Sequence, residues 1–482
     1  MNRGEAPGYE FEVPRGPRHA SGPRHSVGHD PLRPLQRPQP EQEPRSSLLA
    51  ASAGVLTVMR KRNWLMGLAA PILAAVAVGI AVVVVGGGGG SGGAAPSALA
   101  AGFPPARLAG AAFTGTAGTS RVILTAIGAS AATEVAAGGV NGGPALWGSA
   151  DGGATWTRAA LAGSASLTRG GTGQLAGVTH GTAGWVAVGT TLAGRVGPIV
   201  ATSRDARSWT VTSGIAANAI AAAVAAGPAG YVIVGRESGG GPGVAAAWYA
   251  PGLTGWRPAA VARQGQQGQQ GRPGASGGQM MNGVAATGRG FVAVGAAGTR
   301  PAAWLSATGR TWQQAQVPAP TGAARAALEY VAAHGSDVVA AGTEFSAAGA
   351  SRPFAEASAD AGTTWTQVQL PVPDIGPGTG TTVTALTAAG GGFTAAGTYV
   401  TQAGPQVVVW TLPPGSAVTD GTAWATVTPQ GVGLASASAE NAITALDADG
   451  ATLTGVGFTA KLTASGGPGA QQPTLWQSPV RY

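Results

Sequence analysis

Residues 175 to 189 read Leu175-Ala176-Gly177-Val178-Thr179-His180-Gly181-Thr182-Ala183-Gly184-Trp185-Val186-Ala187-Val188-Gly189. Two short apolar runs flank a turn bounded by glycines, and neither is long enough for a helix, so the stretch predicts a β-hairpin. The pattern returns at Ile220 to Gly235, Met281 to Gly295, Leu328 to Gly342, Val383 to Gly397 and Ile443 to Gly457, with a divergent first copy from Val122 to Gly138. The seven closing glycines, at 138, 189, 235, 295, 342, 397 and 457, are spaced 46 to 60 residues apart. A period of that size is one sheet of a repeating array.

After each hairpin comes a third strand with an aromatic residue, a tight turn, and a fourth strand that opens with tryptophan. Trp147 with Trp156, Trp248 with Trp256, Trp304 with Trp312 and Trp410 with Trp424 show the pair. Four strands repeated seven times predict an all-β chain, a seven-bladed β-propeller with four-stranded blades over residues 106–482. The last copy has three strands, ending after Leu475-Trp476, and Arg107 to Phe113 are expected to supply its outer strand. A parallel β-helix or a sandwich would not give seven four-strand units of this length.

The turn between third and fourth strands carries a motif. Ser149-Ala150-Asp151-Gly152-Gly153-Ala154-Thr155-Trp156 and Ser358-Ala359-Asp360-Ala361-Gly362-Thr363-Thr364-Trp365 both match S-x-D-x-G-x-T-W. Ser203-Arg204-Asp205 leading to Trp209, and Ser306-Ala307-Thr308 leading to Trp312, are shorter degenerate copies. On these residues the region from about 120 to 478 resembles the Asp-box, or BNR-repeat, sialidase-like propellers, a group with glycosidases and many non-catalytic extracellular members. The aspartate can accept hydrogen bonds from the amides of its own turn, glycine supplies a positive φ, and tryptophan packs between sheets. Asp151, Asp205 and Asp360 are thus expected to be structural, because a carboxylate saturated by local amides is a poor acid or nucleophile.

A sialidase reading would imply an arginine triad, an F/Y-R-I-P-like segment, a tyrosine with a glutamate partner and an aspartic acid. None of that set is recognisable. Glycoside hydrolysis needs two facing carboxylates. The remaining body carboxylates, Glu134, Glu237, Glu329, Asp337, Glu344, Glu356, Asp374, Asp420, Glu440, Asp447 and Asp449, form no motif, and Asp337, Asp447 and Asp449 read as turn formers. No catalytic residue is therefore assigned; a membrane-tethered glycoside hydrolase is the alternative to a binding or scaffold module.

Composition closes other routes. With no cysteine there is no thiol nucleophile, disulfide framework or Cys-ligated zinc, and His180 and His334 are the only histidines of the body, so neither metal nor cofactor is expected. The net charge of +8 divides into +4 for residues 1–62 and +4 for the rest, too little for nucleic-acid binding, and no nucleic-acid motif accompanies it.

Upstream of the repeats, residues 1–62 form a Pro/Arg-rich tail with too little apolar surface to fold. Residues 63–85 follow as a transmembrane helix. Its apolar stretch, Trp64 to Val85, has no charge, comes after Arg60-Lys61-Arg62 and would reach about 33 Å, enough to cross a hydrocarbon core. Basic residues stay cytoplasmic, so the tail is expected inside and the propeller outside the cell membrane, joined by a Gly/Ala/Ser linker over 86–105. A cleaved export signal with Ala98-Leu99-Ala100 as the cutting site is the rival. On the propeller, Arg195, Arg236, Arg300, Arg352 and Lys461 come from equivalent second-to-third strand loops, so this face is expected to bind an acidic glycan or protein.

Overall fold

The computed structural model describes residues 121–163, 173–191, 196–239, 241–262, 278–372, 380–401, 404–427, 439–450, 452–462 and 468–480. The tail, the apolar span 64–85, the linker and the strand expected at 107 to 113 lie outside these residues, as do Ala98-Leu99-Ala100, Asp374 and Arg195. Among the described residues no helix is long and apolar enough to cross a membrane. Strands dominate, with a single 3-10 turn at Gly421–Ala423.

The first unit shows the plan. Strands Val122–Ser130, Thr133–Val140, Gly143–Ser149 and Thr157–Arg158 pair antiparallel in chain order. Six further hairpins follow, starting with Gly173–Gly181, Ala219–Gly227, Gln279–Thr287, Arg325–His334, Gly380–Ala389 and Ala439–Asp449. The last unit has three described strands, ending in Pro468–Pro479. Fourth strands are short, and in four units they begin one residue after the tryptophan: Trp156, Trp256, Trp365 and Trp424.

The apolar core lies between sheets, which is why second strands such as Thr133–Val140, Gly184–Thr191 and Gly230–Glu237 are buried on both faces. Tryptophans from the third and fourth strands and the turn between them fill the seams: Trp209 between the first and second units, Trp312 between the third and fourth, Trp365 between the fourth and fifth, Trp476 between the sixth and seventh. One further cluster joins the ends of the repeat, since Val122, Leu124, Trp147 and Trp156 pack with Val456 and Leu475. Thr444 Oγ1 also donates to the Leu124 carbonyl at 2.8 Å. First and last units are thus neighbours, and the chain closes on itself as a β-propeller.

Two edge pairings had no sequence signal. Ala160–Ala162 and Ala260–Val261, each just past a fourth strand, run parallel to the outer strands Ser208–Ser213 and Thr311–Ala315 of the next unit. They cover edges that would otherwise be open.

Candidate functional site

Each inner strand carries a β-bulge at the same place. In the first unit Leu124 pairs with Gly138 and Ala126 with Ala137, leaving Thr125 unpaired between them. The equivalent residues are Ala176, Ala222, Asn282, Glu329, Thr384 and Thr444, each opposite the closing glycine of its own hairpin. This explains those glycines. A Cβ on Gly138, Gly235 or Gly342 would overlap the carbonyl oxygen of Ile123, Ile220 or Ala327, backbone that the bulge holds in place.

Six of the seven bulge residues, all but Thr384, line a central channel of about 200 Å³ to which all seven inner strands contribute. Sequence reading missed the ring, yet a signal existed: every bulge residue stands thirteen positions before its closing glycine. Three of these side chains are spent on the neighbouring strand. Thr125 Oγ1 donates to the Leu175 carbonyl, Asn282 Nδ2 to the Leu328 carbonyl at 2.9 Å, and Thr444 Oγ1 to that of Leu124.

Glu329 is different. Among the described residues lining the channel it is the only one with a carboxyl, and burial pushes it up to about 7 against the weaker pull of Arg325. Arg325 itself lies over the Phe345 ring, 3.9 Å from its centroid. Two other polar atoms of the wall, Asn282 Oδ1 and Gln174 Nε2, are buried without a hydrogen-bond partner among the described residues.

Two further carboxyls sit in the seam between last and first units. The residue four positions before the closing glycine is Trp185, Tyr231, Phe291, Val338, Phe393 or Leu453 in six units, and in the first it is Glu134. Tyr231 shows what that position does: its hydroxyl donates to the Gly184 carbonyl of the preceding unit at 2.7 Å. Glu134 reaches the last unit in the same way, accepting from Thr454 Oγ1 at 2.8 Å and from Gln477 Nε2 at 3.4 Å. Burial raises its pKa against these two hydrogen bonds. Asp447 corrects the turn-former reading. It lies part-buried in the seam, accepts from the Ala129 amide at 2.7 Å, and is pushed up to about 6 by desolvation.

The S-x-D-x-G-x-T-W turns have the expected geometry. Asp151 accepts from the Thr155 hydroxyl at 2.6 Å, the Thr155 amide at 2.8 Å and the Ser149 hydroxyl at 2.7 Å, which hold it down at about 2. Ser149 Oγ accepts from the Gly153 amide, and Trp156 Nε1 donates to the Gly153 carbonyl. Asp360 repeats the set with Thr364 and Ser358, and Ser358 Oγ accepts from the Gly362 amide. Burial pushes Asp360 up, but these bonds outweigh it and the net shift is downward. Asp205 accepts from the Ser208 and Arg207 amides, and Trp209 Nε1 donates to the Ala206 carbonyl. Trp312 Nε1 donates likewise to Gly309. A groove of about 380 Å³ opens beside these turns, lined by Arg158, Arg207 and Asp205.

The five basic residues do not form one described cluster. Arg300 and Arg352 are exposed at the starts of third strands, and Arg352 stands opposite Glu344. Arg236 is only 9% exposed, and its Nε is buried without a partner among the described residues, so it is part of the packing rather than a surface residue. Its guanidinium pKa is lowered by that burial. Lys461 belongs to the strand Thr452–Leu462.

No family model matches the chain, and no curated protein does. Several solved structures are distantly similar. YCF48 bound to a D1 peptide is 16% identical over 57% of this chain and 75% of its own, with a TM-score of 0.33. Trypanosoma rangeli sialidase with sialic acid is 12% identical, and this chain spans only about half of it: 74% of this chain and 54% of the sialidase are covered at a TM-score of 0.37. The six-bladed fucose-recognising Aleuria aurantia lectin is 15% identical over 64% of this chain and 96% of the lectin, with a TM-score of 0.36. Likenesses this distant carry no ligand or reaction over to this chain, whose fold rests on its own strand pairing.

Proposed function

We propose that the chain is a membrane-tethered, extracytoplasmic β-propeller of seven blades that binds a glycan or protein partner without cleaving it. Binding is favoured over hydrolysis by the channel wall. Among the described residues lining it Glu329 stands alone as a carboxyl, whereas glycoside hydrolysis uses two carboxyls about 5 to 10 Å apart. The Asp-box resemblance supports the same reading, since its aspartates serve their own turns. Seven hairpins of one design, each with its bulge and closing glycine, support seven blades, with residues 107 to 113 completing the last.

The tether is residues 64–85, with Arg60-Lys61-Arg62 holding the tail in the cytoplasm. The partner is acidic and meets the second-to-third loop face through exposed Arg300 and Arg352. Retention of the full-length protein, in mild detergent, on immobilised heparin tests this. The Arg300→Gln/Arg352→Gln double variant should elute at lower salt. Unchanged elution of a folded variant removes this face.

A further inference from the structure

The six bulge side chains that line the channel are chemically unequal. Thr125, Asn282 and Thr444 each spend a donor on the next strand, and Ala176 and Ala222 have none to offer. Glu329 alone can carry charge there. No described residue donates a hydrogen bond to it, and Arg325, whose charge acts on it, is laid over Phe345. Tyr330 is the only other ionisable residue of the wall. In a channel this narrow a carboxylate is held ionised by a counter-charge or by hydrogen bonds. Two unspent atoms of opposite kind share the wall: Asn282 Oδ1, an acceptor, and Gln174 Nε2, a donor.

We propose that the central channel binds a small organic ammonium that also carries a hydroxyl group. The ammonium would donate to Glu329 and to Asn282 Oδ1, and the hydroxyl oxygen would accept from Gln174 Nε2. A polyol lacks the charge to answer Glu329, and a bare metal ion leaves the Gln174 donor unanswered. The site is independent of the loop face that the acidic partner meets. Its rival is a proton: a neutral Glu329 donating to the Val383 carbonyl, as its counterparts donate to theirs.

The test uses 2-aminoethanol as probe and ethylene glycol as its neutral control, with titration calorimetry on the full-length protein in detergent at pH 8 and pH 5. At pH 8 2-aminoethanol should bind saturably and ethylene glycol should not. At pH 5, where Glu329 is protonated, affinity should fall roughly tenfold or more. Glu329→Gln should lower it equally at pH 8, and Gln174→Met, which keeps the charge, should lower it about threefold with the pH dependence intact. Equal binding of the two probes, no saturable binding at pH 8, or an unaltered Glu329→Gln variant would each overturn the proposal.

Discussion

Glu356 stands where neighbouring third strands place tryptophan. It pairs with Ala340, as Trp147, Trp248, Trp304 and Trp410 pair with Ala136, Ile233, Ala293 and Ala395. It is fully buried, and both carboxyl oxygens lack a hydrogen-bond partner among the described residues. Burial pushes it up to about 8 from an ordinary 4.5. The folded chain keeps a proton there that the unfolded chain releases, so this site's contribution is complete below about pH 4.5 and drains away as pH rises through 8. One proton is worth about 1.4 kcal/mol per pH unit inside that window, or on the order of 5 kcal/mol across it. Even the neutral acid leaves its oxygens unpaired, at about 1–3 kcal/mol. Glu356→Leu should therefore gain about 1–3 kcal/mol at pH 5 and more at pH 8. Urea unfolding of the full-length chain in mild detergent, followed by tryptophan fluorescence from pH 5 to 8, reads both values. Glu329 and Asp447 titrate in both proteins, so the difference isolates Glu356. A difference that stays flat with pH, or a leucine variant less stable at pH 8, would refute the reasoning.

Other outcomes follow from the same geometry. Asp360→Ala strips Thr364 and Ser358 of their acceptor and should cost about 1–3 kcal/mol, whereas Trp365→Ala, emptying the seam between fourth and fifth units, should cost about 3–5 kcal/mol, both read by urea unfolding. Gly235→Ala drives a methyl into the Ile220 carbonyl and should cost about 3 kcal/mol, more than an alanine at Gly252, where the space is open. External protease on intact cells should remove the C-terminal domain and spare residues 1–62; a tail cut first reverses the orientation.

Much of the architecture was legible because it is repeated. Closing glycines and paired tryptophans recur for physical reasons: glycine because a bulge crowds it, tryptophan because seams between sheets are wide, although Ala201 and Glu356 take the third-strand tryptophan position in two units. What stayed hidden were positions whose meaning depends on a neighbouring sheet. Glu134 replaces an aromatic residue and looks like one more isolated carboxylate until the last unit is brought beside it. Asp447 sits next to a turn in sequence but caps a strand more than three hundred residues away. Arg236 follows an apolar strand and counts as loop charge until the sheet turns it inward. The channel ring was hidden for a different reason: strand alternation assigns faces two by two, and a bulge breaks that count.

Whether the propeller binds or cleaves is tested most directly by mass spectrometry of sialylated and xyloglucan oligosaccharides incubated with the purified full-length protein. Every oligosaccharide should keep its mass, because among the described residues lining the channel Glu329 has no second carboxyl to cleave with. A hydrolysis product made by the wild type, and absent with Glu329→Gln, would contradict it.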